Sequence, residues 1–249
     1  MKNIKSSLTL LTLGTLFSSC GSLKIRDKNP SEVSSIKSVA LINLDMQEPR
    51  PKELAFNLGS GKVEGDRAMG TFQEKSSHVE RLYSELARAI AINLKWRVLD
   101  RSTMASNPGF QKAYEKTMKG WQSKMPPGEG YAHFVTKGLL DYDSPRILDF
   151  EGREKLIRDL NVDAIVVAKV HVSLTGTSIM GFGPRKPMSV LSFAVYKKGI
   201  EKPIWFDGNV EGKKGASVGA TGLWSVEKLQ HEATESAIDA FSRIKEERK

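Results

Sequence analysis

A nearly continuous apolar run near the middle of the chain constrains the fold more than any other feature. The run follows Asp163 and reads Ala-Ile-Val-Val-Ala-Lys-Val-His-Val. Its β-branched residues favour an extended strand, and its weak alternation of apolar and polar residues indicates that both faces of that strand are covered. Because a strand of this kind needs helices packed over the sheet, the run predicts a central strand in a layered α/β domain.

Two amphipathic helices are predicted on either side of this run along the chain. A capping-box pattern, Ser77 followed by Glu80, begins the first helix, and Ser225 caps the last. Apolar residues recur every three or four positions in both, at Val79, Leu82, Leu86, Ile90 and Leu94, and at Val226, Leu229, Ala233, Ala237, Phe241 and Ile244. Each stripe predicts a helix that packs one face against a core.

Shorter β-favouring runs complete the predicted sheet. The further strands are expected at 38–44, 96–100, 189–196 and 204–210, with a hairpin turn at Lys198-Gly199 and a short helix over 148–160. The resulting order is β-α-β, an insert, then α-β-β-β-α, which is a mixed β-sheet covered by helices. Irregular insertions are expected at about 45–76 and 103–150, and both are long for inert connectors.

The amino-terminal residues are typical of an export signal. Lys2 and Lys5 precede a short apolar stretch, and small residues lead to Cys20. The stretch is too short to cross a bilayer, which takes about 20 residues. Residues 1–19 are therefore predicted to be a signal peptide, residues 20–36 a flexible tether, and residues 37–249 a single α/β domain.

Cys20 is the only cysteine in the chain. The segment Phe17-Ser18-Ser19-Cys20 resembles the lipobox of bacterial lipoproteins, with Phe17 where Leu is usual. This resemblance implies that the Cys20 thiol carries a lipid that anchors the protein to the cell envelope. Gly21 stands where an Asp would favour the inner membrane, which implies the periplasmic face of the outer membrane. An ordinary secretory signal with an accidental cysteine is the alternative.

The basic charge of the chain bears on its partners. The formal net charge is +9, and removal of Lys2 and Lys5 with the signal leaves +7. Such a surplus suits lipid headgroups, lipopolysaccharide or peptidoglycan carboxylates, whereas export argues against nucleic acid. The basic residues are scattered apart from the short loop clusters Arg185-Lys186 and Lys213-Lys214. A scattered basic surface without a dedicated partner is the alternative.

Two helix-strand units resemble a family of bacterial envelope proteins. Trp96-Arg97-Val98-Leu99-Asp100-Arg101 and Asn161-Val162-Asp163-Ala164-Ile165 are similar to motifs of the TolB amino-terminal domain, the penicillin-binding-protein activator lipoprotein LpoB and the curli-secretion lipoprotein CsgG. The resemblance implies an anticodon-binding-like α/β fold. Asp163 is expected to accept backbone N–H bonds at a tight turn, and Asp100 to pair with Arg101. Residues 173–187 and 211–224 are too short to form the membrane hairpins of a curli-type channel.

No catalytic pattern emerges from the residues that could carry chemistry. The four histidines are dispersed, no phosphate-binding loop or nucleophile elbow is complete, and the cysteine is assigned to the lipid. We therefore expect no enzymatic activity, no cofactor and no metal. The acidic group Asp141-Tyr142-Asp143 is expected to be a solvated loop. An envelope hydrolase or small-ligand-binding protein that uses Asp141, Asp143 and His133 is the alternative.

Aromatic and basic residues near the last strands are candidates for protein binding, because such side chains often anchor interfaces. The candidates are Phe182, Arg185, Trp205 and Trp224. Packing is the alternative role, with one of Trp205 and Phe206 in the core. The sequence thus favours a lipid-anchored, non-enzymatic binding, assembly or activator module for another envelope protein. A homo-oligomeric component related to secretion is a third possibility.

Overall fold

Helices and strands alternate along the chain. The computed structural model describes residues 26–49, 77–122, 131–136, 138–140, 144–175, 186–215 and 226–244. The strands are β1 (Arg26–Lys28), β2 (Ser38–Pro49), β3 (Arg97–Val98), β4 (Tyr131–Val135), β5 (Ala164–Thr175), β6 (Lys186–Lys197) and β7 (Trp205–Glu211). The helices are α1 (Pro30–Ser34), α2 (Ser77–Ala89), α3 (Arg101–Ala105), α4 (Pro108–Gln122), α5 (Ser144–Ile147), α6 (Asp149–Asp159) and α7 (Val226–Ser242), and a π-helical turn, Ile90–Leu94, continues α2.

The strands form one mixed sheet, which confirms the predicted α/β class. Their order across the sheet is β1-β7-β6-β5-β2-β3, and β4 pairs with the other end of β2. β2 is parallel to β3 and β5, whereas the remaining pairs are antiparallel. β5 is central, and its residues from Ala164 to Ala168 are buried on both faces, as the apolar run predicts.

One face of the sheet is covered by α2 and α7. The predicted stripe of α2 and its π-helical turn is buried, as are the described members of the α7 stripe, Ala233, Ala237, Phe241 and Ile244. Hydrogen bonds add to this packing. The Tyr83 hydroxyl of α2 donates to the Leu41 carbonyl of β2 at 3.0 Å. The Ser189 N–H of β6 donates to Ser236 Oγ of α7 at 2.9 Å.

Residues 26–36 of the expected tether belong to the fold. β1 pairs with β7, and the Asn29 N–H donates to the Ile204 carbonyl at 2.8 Å. α1 begins at the Asn29 N-cap with Pro30 in its first turn, and it buries Val33. A polar N-cap and an early proline are ordinary helix-start signals, but the polar composition of this stretch hid them.

The insertions are less irregular than expected. β2 continues past Leu44 to Pro49, because β4 pairs with residues 45–49 along its edge. The segment 103–150 contains most of α3, all of α4, β4 and α5, and the start of α6. Asp45 and Gln47 interrupt the apolar pattern at the end of β2 and obscured the strand in the sequence.

Two acidic residues at strand ends have different roles from each other. Asp163 Oδ2 accepts the N–H groups of Lys37 at 2.9 Å and Ser38 at 2.8 Å, as expected, and thereby joins the starts of β2 and β5. The expected pairing of Asp100 with Arg101 is wrong. Asp100 instead caps α3, and the Arg101 guanidinium binds the Glu80 carboxylate.

Candidate binding surface

Side-chain alternation gives the sheet two unequal faces. The Ser189 hydroxyl donates to the Ala233 carbonyl of α7 at 2.9 Å, and Ser189 pairs with Val172 of β5. The even-numbered residues of β5 therefore face α7, and the odd-numbered ones face the opposite way. On that opposite face Lys169 and His171 are only half-buried. The carboxyl-terminal half of β5 thus presents a sheet face that solvent reaches.

The strand register aligns polar side chains across this face. Lys169 pairs with Asp45 of β2 and Ser192 of β6, and His171 pairs with Gln47 of β2. Residues side by side in neighbouring strands share a face. We call these five residues the polar rows. They lie toward the carboxyl ends of the parallel strands β2 and β5, the end at which α/β sheets generally bind ligands.

A bulge in β2 sets the position of Asp45. The register with β5 shifts between Leu41 and Asn43. Asn43 is buried, and its amide donates to Asp45 Oδ1 at 2.5 Å and to the Leu140 carbonyl at 3.0 Å, while its Oδ1 accepts the Ala168 N–H at 3.1 Å. Asp45 is 1% exposed. Because a buried carboxylate needs polar partners, Asn43 stabilises the buried end of the polar rows.

His171 is a neutral member of the polar rows. Burial lowers the pKa of its imidazole, and the positive charge of Lys169 lowers that pKa further. The ordinary pKa of histidine is about 6.5, so the ring is uncharged at pH 7. A neutral imidazole has one N–H donor and one nitrogen acceptor, so His171 adds a polar, uncharged group to this surface.

A groove of about 440 Å³ continues the polar rows toward the β6–β7 turn. Its floor contains Val167 and Ala194, which lie one row below Lys169 and Ser192. The complete lining is Arg153, Val167, Ala194, Tyr196, Glu201, Lys202, Pro203 and Phe206. The volume falls within the range of about 300–1,000 Å³ for pockets that hold small molecules or side chains. An apolar floor between aromatic and charged walls suits an apolar side chain with a polar flank.

Arg153 of α6 forms one wall of the groove. It is 8% exposed, and its guanidinium donates to the carbonyl oxygens of Pro145 at 2.5 Å and Glu201 at 2.8 Å. The same group lies 5.2 Å from the centroid of the Tyr196 ring. These contacts join α6 to the β6–β7 turn and hold the Arg153 side chain in place as a wall of the groove.

Trp205 is not part of this surface, contrary to the sequence prediction. It is 1% exposed, and its ring centroid lies 4.7 Å from that of Phe193 and 6.3 Å from that of Trp96. Because residues alternate along β7, its neighbour Phe206 lies on the opposite face and lines the groove. Phe206 therefore occupies the surface position that the sequence assigned to Trp205.

Several predicted site residues lie outside the described residues, namely Cys20, Asp141, Asp143, Phe182, Arg185 and Trp224. For the hydrolase alternative, the backbone register places His133 of β4 opposite Gln47, in the row that contains His171. Among the described residues, no group of three or more histidine, cysteine or acidic side chains could hold a metal ion.

Arg153 and Lys169 were not among the residues that the sequence pointed to, and the sequence left open whether Trp205 or Phe206 lies in the core. A signal for Arg153 was present, because it lies three and four positions before the inward-facing Leu156 and Ile157 and so shares their side of α6. Lys169 interrupts the apolar run of β5, and such an interruption in a central strand can mark an uncovered part of the face. For Phe206 the sequence offered only its alternation with Trp205.

The comparisons with known proteins identify no relative, because no family model, curated protein or solved structure matches the chain. Within the described part of the chain, no helix combines the length and apolar character needed to cross a membrane.

Proposed function

We propose that the protein is a non-enzymatic lipoprotein of the bacterial cell envelope, anchored through Cys20 at the periplasmic face of the outer membrane. It binds another envelope protein and acts as an assembly or activator module. The groove on the open sheet face is the observation that carries this proposal. The lipobox-like segment and the resemblance to TolB, LpoB and CsgG support the same assignment.

The chemistry of the groove favours a protein ligand. Val167 and Ala194 supply an apolar floor, and Phe206 is a half-buried aromatic at its side. Aromatic residues beside a desolvated pocket commonly supply most of an interface's binding energy. The polar rows next to the floor place Lys169 and His171 beside such an anchor. A partner side chain in the groove would therefore be held by apolar contact and oriented by polar contact.

The test is site-specific photocrosslinking in living cells with the full-length chain. A photoreactive residue replaces Lys202 at the exposed rim of the groove, and in a control it replaces Lys112, an exposed residue of α4. We expect position 202 to capture one discrete envelope protein that position 112 does not capture. Mass spectrometry then identifies it. Capture of the same set of abundant proteins from both positions would contradict the proposal.

Two substitutions sharpen this experiment. Phe206→Ala should weaken capture at position 202 about 30-fold, since loss of an aromatic anchor typically costs about 2 kcal/mol of binding energy. Ile92→Ala is the matched control, because Ile92 is another apolar residue and is 62% exposed. Cys20→Ala tests the anchor separately. It should move the protein out of the membrane fraction and reduce capture, whereas unchanged fractionation would refute the lipid assignment.

A further inference from the structure

Two basic clusters that are separate in the sequence meet in the structure. The ammonium of Lys186, at the start of β6, donates to the Lys213 carbonyl oxygen at 2.6 Å. Lys214 and Arg243 lie beside them, because both contact Asp239 of α7. We call Lys186, Lys213, Lys214 and Arg243 the basic patch. Lys213-Lys214 and Lys186 were noted in the sequence only as short clusters in different loops.

Asp239 holds the basic patch together. Its Oδ2 accepts the N–H groups of Lys213 at 2.7 Å and Lys214 at 3.3 Å, and the Arg243 Nε at 3.1 Å. Burial of Asp239 opposes its ionisation, but these donors outweigh burial and lower the pKa of the carboxyl group. The side chain of Asp239 is 5% exposed, whereas that of Lys214 is 78% exposed. The anchoring negative charge is thus inside and the positive charges are outside.

Among the described residues of this region, the exposed charges are of one sign. Lys213, Lys214 and Arg243 are exposed, while the neighbouring acidic residues Glu211 and Glu232 are half-buried. A surface that presents several ammonium and guanidinium groups without exposed carboxylates attracts anions. The structure therefore has a localised basic surface rather than only scattered basic residues.

The basic patch is close to the point where the chain leads to Cys20. Arg26 of β1 pairs with Asp207 of β7. Cys20 lies six residues before Arg26, and Lys213 lies six residues after Asp207. Six residues span at most about 20 Å even when fully extended. The lipid attachment site and the basic patch are therefore both within about this distance of one strand pair.

We propose that the basic patch rests against the anionic headgroups of the membrane that holds the Cys20 lipid. This inference rests on the proposed lipid anchor and adds an orientation, with the edge of the sheet formed by β1 and β7 turned toward the bilayer. A lipid on Cys20 tethers the chain without fixing how the domain lies, and a basic surface adds a second contact with the membrane. Charge complementarity favours a lipid surface as the ligand, and the chain length allows Cys20 and the basic patch to meet the same bilayer.

The test measures binding of the full chain with Cys20→Ala to lipid vesicles, so that the covalent lipid makes no contribution. Phosphatidylcholine vesicles with and without phosphatidylglycerol are compared by co-sedimentation. Each lysine near an anionic surface contributes about 1 kcal/mol, or roughly fivefold in affinity. Lys213→Gln with Lys214→Gln should therefore weaken binding to the anionic vesicles about 30-fold.

Lys112→Gln with Lys116→Gln is the matched control, because it removes the same charge from exposed lysines of α4. We expect the control variant to lose less than about twofold in affinity for the anionic vesicles. Equal losses in the two variants, or binding that does not depend on phosphatidylglycerol, would overturn the proposed orientation. Failure of the lipid anchor would give a different result, since the unmutated chain would then lack a lipid on Cys20 by mass spectrometry while vesicle binding remained.

Discussion

Replacement of Asp163 by Ala should destabilise the protein by about 2–3 kcal/mol. Asp163 Oδ2 accepts two backbone N–H groups and the Ser38 hydroxyl, the last at 3.0 Å. Ser38 is buried, so its N–H would lose its partner without gaining water, which typically costs about 1–3 kcal/mol. Lys37 is exposed, so a water molecule can take the place of Asp163 as the acceptor for its backbone N–H. In a chain of this size the loss corresponds to a Tm decrease of roughly 5–10 °C.

Urea denaturation over a pH series measures this effect and its cause. Burial opposes ionisation of Asp163, but the bonds from Lys37 and Ser38 lower its pKa overall. In the unfolded chain the pKa of Asp163 is about 3.9, so near that pH the unfolded state binds more protons than the folded state. The stabilisation from the Asp163 carboxylate is therefore present above about pH 3.9 and is lost as the pH falls through the folded pKa. The difference in free energy of unfolding between wild type and Asp163→Ala should therefore decrease below about pH 4.

Two further variants complete the experiment. Asp163→Asn keeps a neutral hydrogen-bond acceptor, so its loss in free energy of unfolding should be only about half that of Asp163→Ala. Glu115→Ala removes one negative charge from an exposed position of α4, and we expect its effect to stay within about 0.5 kcal/mol. If Asp163→Ala were no more destabilising than Glu115→Ala, or if its effect did not change with pH, the assigned role of the carboxylate would be refuted.

Three further predictions follow from single contacts. Gly212→Ala should lower the free energy of unfolding by about 3 kcal/mol, because a Cβ at Gly212 would lie 1.8 Å from the Ser236 carbonyl oxygen. Chemical denaturation measures this loss. An unchanged free energy of unfolding would mean that Gly212 and α7 are not in this contact. Burial raises the pKa of Tyr83 to about 12, so Tyr83→Phe should remove the phenol ionisation near pH 12 from a spectroscopic alkaline titration. Wild-type stability should fall as the pH rises above about 10, where the unfolded phenol ionises first. The lowered pKa of His171 means that the unfolded state binds more protons below about pH 6.5. Stability should therefore decline on acidification there, and His171→Gln should flatten this decline in urea midpoints.

The parts of the fold that the sequence predicted are those in which one physical rule dominates. The central strand β5 is apolar on both faces, and α2 and α7 each carry one apolar stripe, so burial alone identifies them. β1 and α1 have too few residues to show a period, and they are held by pairing with β7 and by the Asn29 cap. β4 depends on its pairing with β2, which a local pattern does not reveal.

The candidate surface was less predictable than the fold, because it depends on register. The sequence identified Trp205 and Phe206 as an alternating pair, but only the packing of Trp205 against Phe193 and Trp96 decides which one is outside. The approach of Asp45 to Lys169 requires the bulge at Asn43 and the parallel pairing of β2 with β5. The meeting of Lys186 with Lys213 likewise joins positions that are distant along the chain.

The position of β1 links the two proposals. Phe206 of the groove pairs with Asp27 of β1, and Asp27 lies seven residues after Cys20. Seven residues span at most about 25 Å, so a lipid on Cys20 would keep Phe206 near the membrane surface. A partner bound in the groove would then have to present its contacting segment close to the bilayer. We therefore expect position 202 to capture proteins that are themselves embedded in or attached to the same membrane, and capture only of freely soluble periplasmic proteins would argue against an anchor this short.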